Sequence, residues 1–288
     1  MWTLNSWVSM DEEDCNRLIQ HVVSFIATAP GGTHCTLWEF QQLAGWINWL
    51  FNVFPLLKPA LSNIYAKIGG KFKSHAQIFV SRVVVCDLDW FILHINHSDG
   101  VYLFKDVDWS EQEADIVTYC DACLSGLGFF FSHSKEGFQC VVPQCPPKDT
   151  IFYFEALAVV SVVDTITKLP SIPSHLLVFS NNTNTVNIFH SLWSLPPYND
   201  LLKFTISLLL KHNISLWVMH FSGVDNSIAD SLSRFDNNKA ITLCPGLTIS
   251  TYQPPPWHVA VGRCSNVPDI TYIQATQKGS LDYGTLEK

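Results

Sequence analysis

Two uninterrupted runs of apolar, β-branched and aromatic residues, at positions 116–120 and 127–131, are separated by a Ser-Gly turn. Short runs bounded by turn residues are typical of buried strands. The first run leads directly into Asp121, so the pattern predicts a hairpin with a carboxylate buried in its first strand. A lone ionised carboxylate would cost several kcal/mol there and must be paired, neutralised or bound to a metal. The alternative is an Asp that only closes a strand at a turn.

Strands and helices alternate in the remainder of this half of the chain. The pattern predicts strands at 138–142, 176–180 and 216–219 and helices at 151–167 and 226–234, with further helical segments up to residue 211. Alternation of this kind favours a mixed sheet with a parallel portion and helices on its faces. The predicted fold class is therefore α/β (an α+β mixed sheet), with a five-stranded mixed sheet flanked by helices.

Residues 1–98 predict a helical region. Thr36 and Glu39 have the spacing of a capping box ahead of an apolar run, and Pro55 ends that helix. Two more helices are predicted at 59–68 and 76–95. The aromatic residues of the first run are expected in the core rather than on a base-stacking surface; they are Trp38, Trp46 and Trp49.

These patterns divide the chain into three parts. Residues 1–100 form the helical region, residues 101–235 the domain with the mixed sheet, and residues 236–288 an extended, partly disordered tail. The tail prediction depends on lost periodicity and on three consecutive prolines, Pro254, Pro255 and Pro256.

Composition narrows the class of protein. The net charge of −8 argues against a freestanding duplex-binding protein, because such proteins usually carry a basic face. The 9 Cys form an odd number without a secretory leader, which predicts a reduced, intracellular protein, with cytoplasm and nucleus not distinguished. The most apolar stretch, 46–57, is too short to span a bilayer, so no membrane partner is expected.

Four blocks of the second half resemble the ribonuclease H domain of retrotransposon polyproteins. They contain, in chain order, Cys120-Asp121-Ala122, Phe154-Glu155-Ala156-Leu157, Val178-Phe179-Ser180-Asn181-Asn182 and Gly223-x-x-Asn226-x-x-Ala229-Asp230-x-Leu232-Ser233-Arg234. The last block is the most specific. The resemblance covers about residues 115–235 and implies a ribonuclease H-like fold.

The upstream stretch looks like the segment that joins reverse transcriptase to ribonuclease H in fungal retrotransposons, so 1–100 is interpreted as a thumb- or connection-like region. Its similar blocks are 45–49, 52–55, 59–61 and 65–67. The 288 residues contain no Tyr-x-Asp-Asp polymerase motif. The resemblance therefore implies a piece of a transposable-element polyprotein, with the missing polymerase part as a partner.

The resemblance also implies a reaction, the hydrolysis of the RNA strand of RNA–DNA hybrids by two Mg²⁺ (or Mn²⁺) ions. Such ions take hard oxygen ligands, and two of them about 4 Å apart can activate water and stabilise the leaving oxygen. The matching metal-binding and catalytic positions are Asp121, Glu155 and Asp230. Taken singly, Glu155 could instead be a helix first-turn acid, and Asp230 a solvated helix residue.

The third matching position departs from the family, because Asn181 stands where the family has Asp. An amide oxygen can contact a metal but carries no charge, so catalysis is expected to be impaired. The alternative function is a catalytically dead, nucleic-acid-binding or structural remnant with the same fold. Three polar residues of the matching blocks, Ser180, Asn182 and Asn226, are assigned to nucleic-acid binding. His220, before the loop that leads to Asp230, is assigned there too because it could contact phosphate or help product release; the alternative is a His at a strand end.

Overall fold

A computed structural model describes residues 7–8, 11–27, 33–95, 101–102, 109–143 and 150–255. In chain order, its strands are β1 Trp7–Val8, β2 His34–Thr36, β3 Gln77–Phe79, β4 Val101–Tyr102, β5 Ile116–Ala122, β6 Gly126–Phe131, β7 Glu136–Val141, β8 His175–Ser180, β9 Ser215–His220 and β10 Thr248–Thr251. Its α-helices are α1 Glu12–Ala27, α2 Leu37–Leu50, α3 Ser62–Ile68, α4 Arg82–Ile95, α5 Thr150–Ile166, α6 Thr183–Ser191, α7 Pro196–His212, α8 Ser227–Ser233 and α9 Asn237–Leu243. Short 3-10 helices span Pro55–Leu61 and Glu111–Glu113.

The main sheet is mixed and has the strand order β10-β7-β6-β5-β8-β9. β5, β6 and β7 are antiparallel neighbours, whereas β8 pairs parallel to β5 and β9 parallel to β8. The predicted α/β class, a mixed sheet flanked by helices, is confirmed. The strand that carries Asp121 lies between the antiparallel and the parallel halves.

Helices cover both faces of this sheet. The nearly all-apolar helix α5 packs into a core with alternate residues of β5 and β6, among them Cys120, Leu127 and Phe129. On the other face, α8 lies directly against β6. A Cβ added at Gly128 would be 2.4 Å from the backbone nitrogen of Ser233, so only a glycine permits this approach. The close packing brings α8 to the strand that carries Asp121.

The N-terminal region has a core of its own, and its predicted capping box is confirmed. The Thr36 hydroxyl accepts the N–H of Glu39, and the Glu39 carboxylate accepts the N–H of Thr36. The core placement of the tryptophans is wrong, because Trp38, Trp46 and Trp49 are 56%, 39% and 59% exposed. Leu37, Phe40, Ala44, Ile47 and Leu50 share the opposite face of α2 and fill the core instead.

Two predicted helices of this region are also shorter than expected. The segment 76–95 begins as β3, which pairs antiparallel with β2, and becomes helical only at Arg82. The segment 59–68 continues a 3-10 helix into α3. The pairing with β2 depends on residues about forty positions away in the chain, and local periodicity does not contain it.

A buried polar cluster joins the helical region to the sheet domain. Lys203 of α7 donates to Asp87 of α4 at 2.6 Å, and Asn199 donates to Asp87 and to the carbonyl of Pro59. Asn63 adds a further donor to Asp87 at 2.8 Å. Burial raises the pKa of Asp87 while the Lys203 charge opposes that rise. The two regions therefore share a buried ionic contact, and Asp87 is fully enclosed by it.

The structure differs from the predicted tail. Residues 237–243 form a helix, and residues 248–251 form a sixth strand of the main sheet, parallel to β7. Leu247 and Ala240 are buried with Leu232 and Phe130. A seven-residue helix and a four-residue strand are too short for a periodic signal, and their buried partners, Leu232 and Phe130, belong to other elements. The predicted tail beyond residue 255 lies outside the described residues.

Limited trypsin digestion is expected to leave β10 attached to the sheet domain. Cleavage after Lys239 should be slow, because α9 is helical and its Ala240 is buried. Mass spectrometry of the fragments would locate the C-terminal end of the resistant core at or beyond Thr251. Rapid cleavage after Lys239 would contradict this prediction.

Two other predictions concern cysteines and membranes. The reduced, intracellular protein stays a prediction. Among the described helices, none has both the length and the apolar character needed to cross a bilayer.

Candidate active site

Asp121 lies at the end of the central strand β5 and is 3% exposed. Ser233 of α8 donates its hydroxyl to Oδ2 at 2.7 Å, and Asn181 donates Nδ2 to Oδ1 at 3.0 Å. Burial raises the pKa of Asp121, and the nearby Asp230 charge raises it further. The two hydrogen bonds therefore hold a carboxylate that its surroundings disfavour as an anion.

Glu155 projects from the first turns of α5 and is 6% exposed. Its Oε2 is buried without a hydrogen-bond partner, while the N–H of Ala122 supports the carboxylate. Burial, followed by the charge of Asp121, raises the pKa of Glu155 to about 8. Asp121 and Glu155 are thus an electrostatically coupled pair of buried carboxyl groups.

This pair predicts a pH-dependent stability in metal-free buffer. From about pH 4.5 to about pH 8, folded Glu155 keeps a proton that the unfolded chain has lost, so the free energy of unfolding falls as pH rises. Glu155→Gln should remove several kcal/mol of that decline, since each pKa unit corresponds to about 1.4 kcal/mol. Urea unfolding in EDTA, repeated across this pH range, would measure the free energy of unfolding of the wild type and of Glu155→Gln. Identical slopes would contradict the prediction.

Asn181 follows β8, the parallel neighbour of β5, so the sheet itself brings it beside Asp121. Its Oδ1 is buried and has no hydrogen-bond partner. The amide therefore offers one donor to the carboxylate and one unused oxygen to the same site. A carboxylate at position 181 would instead repel Asp121 at this distance.

Asp230 lies on α8 near the other acids, but its carboxylate accepts a hydrogen bond from Nε of Arg234 at 2.7 Å. Both side chains are partly exposed, with the Asp at 29% and the Arg at 60%. Within the described residues, no group of three or more His, Cys, Asp and Glu is close enough to hold a metal ion. The metal and catalytic roles of Asp121, Glu155 and Asp230 stay predictions.

Two of the four residues assigned to nucleic-acid contacts are buried. Ser180 is fully buried and its hydroxyl accepts the N–H of Asn182. Asn226 is 1% exposed and donates Nδ2 to the carbonyl of Cys120 at 2.9 Å, which ties the loop before α8 to β5. Both side chains therefore support the site from inside, and their nucleic-acid-binding roles stay predictions.

The other two assigned contacts are accessible. His220 is exposed at the end of β9, directly opposite Ser180 in the strand register. Asn182 is half-buried and caps α6, since its Oδ1 accepts the N–H of Thr185 at 3.0 Å. Their nucleic-acid-binding roles stay predictions.

The known proteins that this chain resembles are solved structures with a similar fold. Ribonuclease H1 proteins are among them. LC11-RNase H1, solved in complex with an RNA/DNA hybrid, matches with 17% identity over 44% of this chain and 99% of its own, at a TM-score of 0.35. RNase H1 of the archaeon Halobacterium salinarum NRC-1 matches with 13% identity over 45% of this chain and 98% of its own, at a TM-score of 0.34.

A longer stretch of this chain matches a larger viral protein. The foamy viral protease-reverse transcriptase, solved in complex with dsDNA, has 13% identity over 75% of this chain and 42% of its own, at a TM-score of 0.27. No protein-family model matches the sequence, and the comparison with curated proteins finds no relative. Functional inference therefore depends on the residues of the site.

Sequence reasoning assigned no role to two residues that contact the acids of the site. Ser233 is fully buried and orients Asp121, and Arg234 neutralises Asp230. Both belong to the most specific motif block, so their positions were visible in the sequence. Their partners were not, because the hydrogen bond between Ser233 and Asp121 joins residues 112 positions apart.

Proposed function

We propose that this chain is a nucleic-acid hydrolase that requires a divalent cation and cuts the RNA strand of RNA–DNA hybrids, at a rate limited by Asn181. One observation carries the proposal: the buried pair of Asp121 and Glu155, with an unpartnered oxygen on Glu155. Buried polar atoms almost always have partners, so an unpartnered oxygen on a carboxylate beside a second buried acid is a position that an ion could fill. Perturbed, coupled carboxyl groups are likewise most common at functional sites.

The donor set fits one hydrated Mg²⁺ or Mn²⁺ ion better than two. Mg²⁺ keeps several waters and is usually held by one or two carboxylates together with substrate phosphates. Asp121 and Glu155 would supply the carboxylates, and the unpartnered Oδ1 of Asn181 a neutral oxygen. Asp230 would join only after leaving Arg234. A bound ion would supply Lewis-acid polarisation of the phosphate and activation of water.

The protein's own residues would mainly position the carboxyl groups. Ser233 fixes the Asp121 carboxylate from α8, and the Ala122 N–H supports Glu155 from the strand. A positive charge between the two acids would favour loss of the Glu155 proton, because it offsets both burial and the Asp121 charge. A Cβ added at Gly223 would lie 3.5 Å from Nδ2 of Asn181, so the loop before α8 passes beside that side of the site.

The second candidate function is a catalytically dead nucleic-acid-binding module. It is favoured because two of the acids already have protein partners that offset their negative charge. The Asn181 amide donates to Asp121, and the Arg234 guanidinium pairs with Asp230. These protein groups partly replace what a cation would do. The origin in a retrotransposon polyprotein and the polymerase part as a partner belong to either proposal.

Isothermal calorimetry and hybrid cleavage together separate the two functions. The active proposal expects Mg²⁺ or Mn²⁺ binding at millimolar concentration and slow cleavage of a labelled hybrid, both reduced in Asp121→Asn. Because the net charge is −8, hybrid affinity should be weak, sensitive to salt and increased by the divalent ion. Absence of metal binding, with the fold intact, would leave the catalytically dead module.

A further inference from the structure

The charge of the chain is distributed unevenly, and one segment of the N-terminal region is basic. Residues 40–86 contain five Lys and Arg and no Asp or Glu, in a protein whose net charge is −8. Four of the five basic residues lie between 67 and 82. All are partly or fully exposed, so this part of the surface is positive in an otherwise acidic protein.

Exposed aromatic rings lie among these cations. Phe72, between Lys71 and Lys73, is 94% exposed, and Phe79 on β3 is 45% exposed. The ammonium group of Lys67 lies over the Phe79 ring, 5.9 Å from its centroid. A large apolar ring at 94% exposure makes almost no contact within the fold, so packing does not account for it.

The first turn of α2 borders the same loop. The N–H of Trp38 donates to the carbonyl of Ser74 at 3.0 Å. Trp38, Gly45 and Trp49 lie along one exposed stripe of α2, and a Cβ at Gly45 would contact nothing within 4 Å. The stripe is thus open between its two indole rings, which are about 16 Å apart along the helix axis by the rise per residue.

We propose that this basic aromatic surface, formed by Trp38, Lys67, Lys71, Phe72, Lys73 and Phe79, binds single-stranded nucleic acid. Lysines would contact phosphates, and the exposed rings would stack on bases. The bases must be unpaired, because a duplex presents its base edges and phosphates but not its stacked faces. The proposal is independent of the carboxylate site, which lies in the sheet domain.

Fluorescence anisotropy with labelled oligothymidylate in EDTA tests the proposal without any catalysis. Wild-type protein should bind the oligomer more tightly than a duplex of equal length. Phe72→Ala should weaken binding about tenfold, since the variant loses one ring on which a base can stack. The double variant Lys71→Glu with Lys73→Glu should make binding less sensitive to salt. The slope of log K against log salt concentration should fall in magnitude by about 1.4, because each of the two lost phosphate contacts contributes about 0.7 on a single strand.

Matched controls exist elsewhere on the described surface. Ile241→Ala removes another exposed apolar side chain, and Lys211→Glu with Lys239→Glu makes the same change in net charge. Both should bind like wild type, and thermal melts would verify that all variants fold. Equal weakening by controls and test variants would overturn the proposal, as would absence of oligomer binding by wild type. If the test variants lost binding to phosphatidylserine vesicles but still bound the oligomer like wild type, the surface would be a membrane contact and the proposal would be overturned.

Discussion

Replacing Asn181 by Asp is expected to raise hybrid-dependent RNA cleavage by orders of magnitude. The substitution restores a negative charge at nearly constant shape, beside Asp121 and at the end of the neighbouring parallel strand. A charged metal ligand can contribute several kcal/mol in a low-dielectric site, and each 1.36 kcal/mol corresponds to a tenfold change in rate. Cleavage of a labelled hybrid in Mg²⁺ would measure the gain.

The same substitution should make stability depend on metal. It removes the Asn181–Asp121 hydrogen bond of 3.0 Å and sets two carboxylates against each other. In EDTA, the variant should lose about 1–3 kcal/mol of unfolding free energy, the typical effect of leaving a buried acceptor unpaired. Added Mg²⁺ should raise its melting temperature more than that of the wild type, because only the folded state binds the ion.

Two controls isolate the charge at position 181. Asn182→Asp adds the same charge one residue later and preserves the cap of α6, since Asp caps as well as Asn; it should give no gain in cleavage. Asn181→Asp combined with Asp121→Asn should abolish the gain, which excludes a contaminating nuclease. A well-folded Asn181→Asp variant that binds Mg²⁺ no better than wild type and cuts nothing would refute the nuclease proposal.

Lys203→Met is expected to lower the free energy of unfolding by about 3–5 kcal/mol. It removes the cation paired with Asp87 at 2.6 Å and leaves a fully buried carboxylate without a compensating charge. The contact joins α4 to α7, so the loss should affect the helical region and the sheet domain together. Urea unfolding followed by tryptophan fluorescence and by circular dichroism would measure the change.

Lys168→Met is the matched control for this loss. Lys168 pairs with Asp164 at the same 2.6 Å, but its side chain is 66% exposed. Exposed pairs contribute at most about 1 kcal/mol, so this variant should be nearly neutral. Lys203→Met with Asp87→Asn should recover part of the stability, because the neutral amide removes the unpaired buried charge and keeps an oxygen for the donors Asn63 and Asn199. Equal losses in Lys168→Met and Lys203→Met would refute the role of burial.

Local pattern alone determined the elements around Asp121. The runs that predicted strands at 116–120 and 127–131 form β5 and β6, and the Thr36 capping box begins α2 where its spacing indicated. Each signal lies within one element, so the backbone geometry of a few residues is enough to express it. The carboxylate at the end of the central strand could be located for the same reason.

Contacts between distant residues were decided only by the tertiary structure. The sequence indicated neither the sixth strand beyond residue 247 nor the Asp87–Lys203 pair, whose members are 116 positions apart. It also identified Asn181 as a missing charge, but not as a hydrogen-bond donor to Asp121. A residue type limits what a side chain can do, whereas burial and the approach of other elements decide which partner it meets.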